Sequence, residues 1–574
     1  MLSFPLLRAH VLLGLLFLLP NLVENTAATS PGSDPIVKLN YGAFQGSVVG
    51  NVESFLGMPF AAPPVGNLRF APPHPPVAFR GVHQATTFGA ACFQQAANAS
   101  VFPGSLVPTI AGLISTGAPN PSVISEDCLF INVVRPVGTQ PGKKLPVVFW
   151  IYGGGFQNGD TSLYPGSNIV SRSIALNEPV VYVSANYRLS ALGWLASKEV
   201  QAAGLGNIGL RDQRFALKWV QKYITAFGGD PRRVTIWGES AGALSVGTHL
   251  IINDGNPEGL FHAAVMQSGS PYLMLDIADK QPIFDQLVAN SGCTGSPDPI
   301  ACMRAVPFDQ FSTAMNLSPN LFSFSSLSLA WQPTIDGDLI KRDPQISLQK
   351  GLYAKVPILS GDCDDEGTFF SFANANITTN EDFLSYMQSN YFRGILSDEQ
   401  LAAVGEAYPD DVTQGSPFDT GTANALTPQY KRLAAIQGDW SFQAPRRFLL
   451  ETTSKTQPTF AFLYKRNKTS TALGSFHGTD IPEFYGAGPS PDLVGADAII
   501  NFANTGNPSL PKNPKSLLSS VNWKQWGSSK TNPPMLTFTD PIPSIAITSD
   551  TFRLQQMALL TQISLQIANT SAQP

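Results

Sequence analysis

Short apolar runs without polar alternation, each followed by a stretch with helical spacing, most narrow the folds open to this chain. Val147-Val148-Phe149-Trp150-Ile151-Tyr152 is one such run, and it stops at Gly153-Gly154-Gly155. Val180-Val181-Tyr182-Val183-Ser184-Ala185 is the next. Residues 211–223 then carry Phe215, Trp219 and Val220 at helical spacing. Strands alternating with helices predict an α/β fold with a mainly parallel sheet. Of the 574 residues, 43% are hydrophobic and 13% charged, enough apolar matter for a large core and incompatible with global disorder. With 36 Lys and Arg against 41 Asp and Glu, the net charge of -5 leaves no electrostatic footprint for nucleic acid. The length allows several domains or one rich in insertions.

One strand reading leads directly to chemistry. Arg233-Val234-Thr235-Ile236-Trp237 runs into Gly238-Glu239-Ser240-Ala241-Gly242, and residues 243–251 read as a helix. Strand, G-x-S-x-G, helix is the order that a nucleophile elbow requires, although the pentapeptide alone is weak. A serine nucleophile needs a base, and on α/β-hydrolase scaffolds the order is Ser, then Asp or Glu, then His. His249 and His262 follow Ser240 too soon for an intervening strand and acid, so His477 is the one histidine left. It lies in a loop-like stretch after the strand candidate Thr459-Phe460-Ala461-Phe462-Leu463-Tyr464. The acid should follow a strand between the two. Val356-Pro357-Ile358-Leu359-Ser360-Gly361 ends in Asp362, Asp364, Asp365 and Glu366, and spacing does not choose among these four. Without a catalytic role they would read as a solvated acidic turn; the register of an EF-hand is absent.

The chain's start and its cysteines speak to compartment. Arg8 and His10 precede an apolar run, residues 11–19, followed by Thr26, Ala27 and Ala28, the pattern of a secretory signal peptide over residues 1–28. No later segment reads as a membrane span. Cys293 and Cys302 are close enough for a small bridged loop, Cys92 and Cys128 enclose a longer one, and Cys363 is left over as a buried free thiol. Other pairings remain open at this level. Asn-x-Ser/Thr acceptors at Asn98, Asn316, Asn376, Asn467 and Asn569 agree with export, with Pro319 counting against Asn316.

Gly238-Glu239-Ser240-Ala241-Gly242, Gly153-Gly154-Gly155-Phe156, Ser125-Glu126-Asp127-Cys128-Leu129 and Asp365-Glu366-Gly367 together resemble the type-B carboxylesterase/lipase family. Phe60-Ala61-Ala62-Pro63-Pro64-Val65-Gly66, Asn186-Tyr187-Arg188 and Phe227-Gly228-Gly229-Asp230-Pro231 extend the resemblance over nearly all the mature chain, and the Cys92 to Cys128 loop with Asp365-Glu366-Gly367-Thr368-Phe369-Phe370 most resembles the fungal lipase and sterol esterase branch. The resemblance implies an α/β-hydrolase fold over residues 29–574, a Ser240–His477–Glu366 triad, and an oxyanion hole from the N–H groups of Gly154, Gly155 and Ala241. It also implies bridges Cys92–Cys128 and Cys293–Cys302. The triad's chemistry needs no metal or cofactor, and without a His-Glu-x-x-His motif the few scattered histidines do not furnish a usual zinc site. The expected activity is that of a secreted serine ester hydrolase, a monomer or weak homodimer, acting on small-molecule or lipid esters. Sterol esters and hydroxycinnamoyl (feruloyl) esters remain alternative substrates, and a non-catalytic adhesion protein is the alternative class.

Substrate features are read from two segments. Between Cys92 and Cys128 the charged residues are Glu126 and Asp127, while Leu106, Ile110, Leu113 and Ile114 recur at helical spacing. This is either a satellite helix or, as the resemblance implies, a lid opening onto a lipid–water interface. No Trp lies in the segment, which argues against choline esters, because an aromatic face attracts a quaternary ammonium. Phe369 and Phe370, with residues 322–327, would line an acyl pocket by the same resemblance.

Overall fold

The computed structural model describes residues 34–96, 123–469, 471–487 and 492–571. The expected signal peptide, Leu113, Ile114 and Asn98 lie outside the described residues. In chain order the strands are β1 (Ile36–Leu39), β2 (Gly42–Gln45), β3 (Ser47–Val49), β4 (Val52–Pro59), β5 (Val82–Gln84), β6 (Phe130–Pro136) and β7 (Leu145–Ile151). They continue as β8 (Val181–Ala185), β9 (Gly229–Glu239), β10 (Ala263–Gln267), β11 (Ile358–Cys363), β12 (Thr459–Tyr464), β13 (Pro534–Phe538) and β14 (Ile545–Ser549).

Eleven of these form one sheet in the order β14-β13-β12-β11-β10-β9-β7-β8-β6-β4-β3; β1, β2 and β5 form a small second sheet. From β13 to β8 every neighbouring pair is parallel, and antiparallel strands close both edges. The apolar runs find their cause here. Every residue of β7, β8, β10, β11 and β12 is buried, as expected for parallel strands covered by helices on both faces. Trp150 on β7 and Trp237 on β9 pack edge to face at 4.5 Å, with Tyr485 against both rings.

The expected elements are present with shifted ends. The helix read at 211–223 is Ile208–Tyr223, and the one read at 243–251 is Ala241–Ile251. Disulfides join Cys92 to Cys128 and Cys293 to Cys302; Cys363 is free and buried at the end of β11. Among the described residues no helix is long and apolar enough to cross a membrane. Because β7 lies between β8 and β9, the strand order reverses beside it. In open α/β sheets the crevice at the carboxyl ends beside such a switch is where ligands bind.

Candidate active site

Four loops meet at that edge, following β7, β9, β11 and β12. Strand β9 ends at Glu239 and the next helix starts at Ala241, so Ser240 forms the whole turn, at φ 55° and ψ -126°. A side-chain-bearing residue is strained there and stays only if its neighbours over-determine it. They do so through close packing. The Ser240 N–H donates to the Gln267 carbonyl at 2.9 Å, and the Ser240 carbonyl accepts from the Leu244 N–H at 2.9 Å. A Cβ on Gly238 would lie 2.5 Å from the Gly242 carbonyl carbon, and one on Gly242 2.0 Å from the Ile151 carbonyl oxygen. The motif's glycines are therefore a steric requirement of this turn.

His477 Nε2 lies 2.7 Å from Ser240 Oγ, and its Nδ1 lies 2.6 Å from Glu366 Oε2. The second Glu366 oxygen accepts the Cys363 N–H at 2.7 Å. The other three carboxylates of the turn face elsewhere. Asp362 pairs with Arg446 at 2.9 Å, Asp364 with Lys468 at 2.7 Å, and Asp365 with Lys468 at 2.6 Å while also accepting the Ser475 N–H at 2.8 Å. The solvated-turn reading is thus corrected, since none of the four is more than 4% exposed. Burial of so many carboxylates is tolerated because each has a cation or a backbone N–H to accept.

Sequence reasoning missed two further acids near the imidazole. Glu239 Oε1 stands 3.4 Å from His477 Nε2, and Asp480 accepts a hydrogen bond from Gln267 Nε2 at 2.8 Å. Their positions, within the elbow pentapeptide and three residues after His477, were the available signals. Burial by itself would lower the His477 pKa, but the facing carboxylates of Glu366 and Glu239 outweigh it and push it up to about 9. Burial raises Glu239 to about 8 and Asp480 to about 6. The rings of Phe370 and Phe442 flank the imidazole at 4.9 and 4.8 Å. Phe369, half-buried, packs between Phe322 and Phe476 at 5.1 and 6.0 Å.

The loop after β7 lies directly against the elbow, for a Cβ on Gly153 would come within 2.8 Å of the Ser240 Cβ. Gly154 and Gly155 take φ of 100° and 62°, which favours glycine at both. Among the described residues no acceptor takes the amide hydrogens of Gly154, Gly155 or Ala241. The structure therefore brings together Ser240, Glu366, His477, Gly154, Gly155, Ala241, Phe369 and Phe370. Among the sequons, Asn316, Asn376 and Asn569 are exposed and Asn467 is half-buried.

Residues 33–551 match the model of the carboxylesterase family. The chain is 41% identical over 490 residues to Lipase 4 of Diutina rugosa, covering 83% of this chain and 86% of that protein. It is 39% identical over 497 residues to Secreted lipase 1 of Botryotinia fuckeliana, covering 84% and 85%. Its structure is similar to the crystal structure of Aspergillus niger EstA, with a TM-score of 0.79 at 28% identity over 93% of this chain and 99% of that one.

Proposed function

The chain belongs to the carboxylesterase family and is a carboxylic ester hydrolase, and from that premise we propose that it works through an acyl-enzyme on Ser240. The neutral imidazole of His477 donates a hydrogen bond from its Nδ1–H to Glu366 and accepts the Ser240 hydroxyl proton on Nε2 as Oγ attacks the ester carbonyl. Glu366 holds that tautomer and stabilises the imidazolium that forms. The N–H groups of Gly154, Gly155 and Ala241 receive the developing oxyanion, a contribution of about 2.7–4 kcal/mol per donor. His477 then protonates the leaving alcohol, and water attacks the acyl-enzyme by the reverse route. The single observation that carries this reading is the unbroken contact chain Glu366–His477–Ser240 at 2.6 and 2.7 Å.

The substrate we infer is an ester with an apolar acyl chain. Supporting this are the lipase names of the relatives and the run of packed rings Phe322–Phe369–Phe370, the last of which lies against the imidazole. The segment between Cys92 and Cys128, carrying Leu113 and Ile114, serves as the lid in this reading. Its base is fixed by the disulfide and by the two-pronged Arg69–Glu126 pair at 2.6 and 2.8 Å. The reading also includes removal of residues 1–28 on secretion, a single catalytic domain from residue 29, glycosylation at the exposed sequons, and a monomer or weak homodimer. A chain-length series of p-nitrophenyl esters, run beside a triglyceride emulsion, a sterol ester and a feruloyl ester, tests it. Turnover that grows with acyl length and includes the triglyceride is expected. Turnover confined to the feruloyl ester, or none at all, would overturn it.

A further inference from the structure

The wall beside the reacting atoms is fastened by a buried polar assembly that ester hydrolysis itself does not use. Residues 320–326 cross from the loop after β7 towards the histidine. The Leu321 N–H donates to Gln157 Oε1 at 2.9 Å, and its side chain lies 3.3 Å from where a Cβ on Gly155 would stand. Phe322 packs on Phe369 at 5.1 Å and Phe369 on Phe370 at 5.6 Å, the ring next to His477. Leu321 and Phe322 thus form a continuous apolar wall between the Gly155 loop and the rings beside His477.

Behind this wall the Phe324 carbonyl accepts two hydrogen bonds at 2.9 Å, from Asn374 Nδ2 and from the Tyr386 hydroxyl. Asn374 Oδ1 accepts from Gln437 Nε2 at 2.9 Å, and Gln437 Oε1 accepts from the Ser371 hydroxyl at 2.7 Å. The Ser326 hydroxyl donates to the Phe370 carbonyl at 3.2 Å, closing the assembly onto the aromatic next to the histidine. Asn374, Gln437, Ser371 and Tyr386 are at most 3% exposed. They come from the turn Ser371–Asn374, the helix Asn380–Tyr386 and the helix Tyr430–Gly438; Asn374 and Tyr386 hold the carbonyl, and Gln437 and Ser371 hold Asn374.

Burying amides and hydroxyls is costly even when every partner is present, and apolar side chains would fill the same space with less desolvation. What a satisfied network supplies instead is one fixed arrangement of the segment it holds. We propose that Asn374, Gln437 and Tyr386 are positioning residues that set acyl-chain specificity, by fixing the Phe324 carbonyl and with it the Leu321–Phe322 wall. The inference rests on the acyl-enzyme reading above and names the determinant of its chain-length preference.

The test measures kcat and KM for p-nitrophenyl acetate through palmitate in Tyr386→Phe, Asn374→Ala and Phe322→Ala, with Tm for each. Tyr386→Phe removes one oxygen and keeps the ring that packs on Phe324 at 5.0 Å, so it carries the test should Asn374→Ala not fold. Both clamp variants should leave acetate kcat/KM within about twofold. Each should lower kcat/KM for decanoate and longer esters by about fivefold to tenfold through KM, the scale of one lost buried hydrogen bond. Phe322→Ala should move the same preference. If Phe322→Ala moves it while the clamp variants lower all chain lengths alike, or lower only Tm, the assembly is purely structural and the proposal falls with the acyl-enzyme reading intact. An unchanged profile in Phe322→Ala would place the acyl chain elsewhere and remove the wall reading too. Loss of the acyl-enzyme reading shows separately, as turnover surviving in Ser240→Ala.

Discussion

Replacing Glu366 by Gln alters a single atom, and the contacts around that atom set the cost. Glu366 accepts two hydrogen bonds, from His477 Nδ1–H at 2.6 Å and from the Cys363 N–H at 2.7 Å, and it is 1% exposed. A glutamine has one carbonyl oxygen for these two donors. With the oxygen towards His477, the NH2 group opposes the Cys363 N–H in a buried site, at about 1–3 kcal/mol. With the NH2 group towards His477, Nδ1 becomes the acceptor, Nε2 carries the proton, and the base for Ser240 is lost. Either orientation also removes the charge that stabilises the imidazolium, and the analogous loss of the acid in a serine triad lowers kcat by about 10⁴. Glu366→Gln should therefore fold, retain Tm within a few degrees, and lose about 10³–10⁴ in kcat on p-nitrophenyl butyrate. Asp364→Asn and Asp365→Asn, whose charges face Lys468, should lose stability more than turnover. Equal kcat losses across the three variants would refute the assignment of the acid.

Three further outcomes follow from named contacts. In the proposed mechanism neutral Nε2 is the base, and with His477 raised to about 9 by Glu366 and Glu239, kcat/KM should fall as pH drops through a limb lying above the ordinary histidine value of 6.5. Glu239→Gln should move that limb to lower pH, and a pH-rate profile showing no displacement would separate Glu239 from the base. Cutting the nine-residue bridge with Cys293→Ser and Cys302→Ser should cost about 2.5 kcal/mol of stability in urea melts on chain-entropy grounds, with kcat unchanged. Leu113→Asp with Ile114→Asp should weaken turnover of long-chain emulsions and spare p-nitrophenyl acetate, and equal losses on both would make the segment ordinary core.

The fold was legible where apolar runs lacked polar alternation. Thr459–Tyr464 is legible at its full extent because every residue in it is buried, whereas Gly242 resembles loop sequence and hides the first two residues of the helix after Ser240. Ser240 stands out in the sequence by its motif between a strand and a helix, and His477 by order along the chain. The acid does not stand out, because Asp362, Asp364, Asp365 and Glu366 fall within five residues at the end of β11 and are told apart by partners distant in sequence, such as Arg446 and Lys468. Glu239 escaped notice for the same reason, since the imidazole that gives it meaning is supplied by His477, on a separate loop after β12. The clamp on residues 320–326 was invisible because Asn374, Tyr386 and Gln437 carry no motif and acquire a role only when three elements converge.

Covalent capture of the nucleophile addresses the central claim most directly. Incubating the protein with a p-nitrophenyl alkylphosphonate, which a serine nucleophile attacks at phosphorus with release of p-nitrophenol, should give one adduct per chain. Peptide mass spectrometry should place it on Ser240, with one equivalent of p-nitrophenol released and none from Ser240→Ala. An adduct on any other residue, or undiminished labelling of Ser240→Ala, would contradict the account.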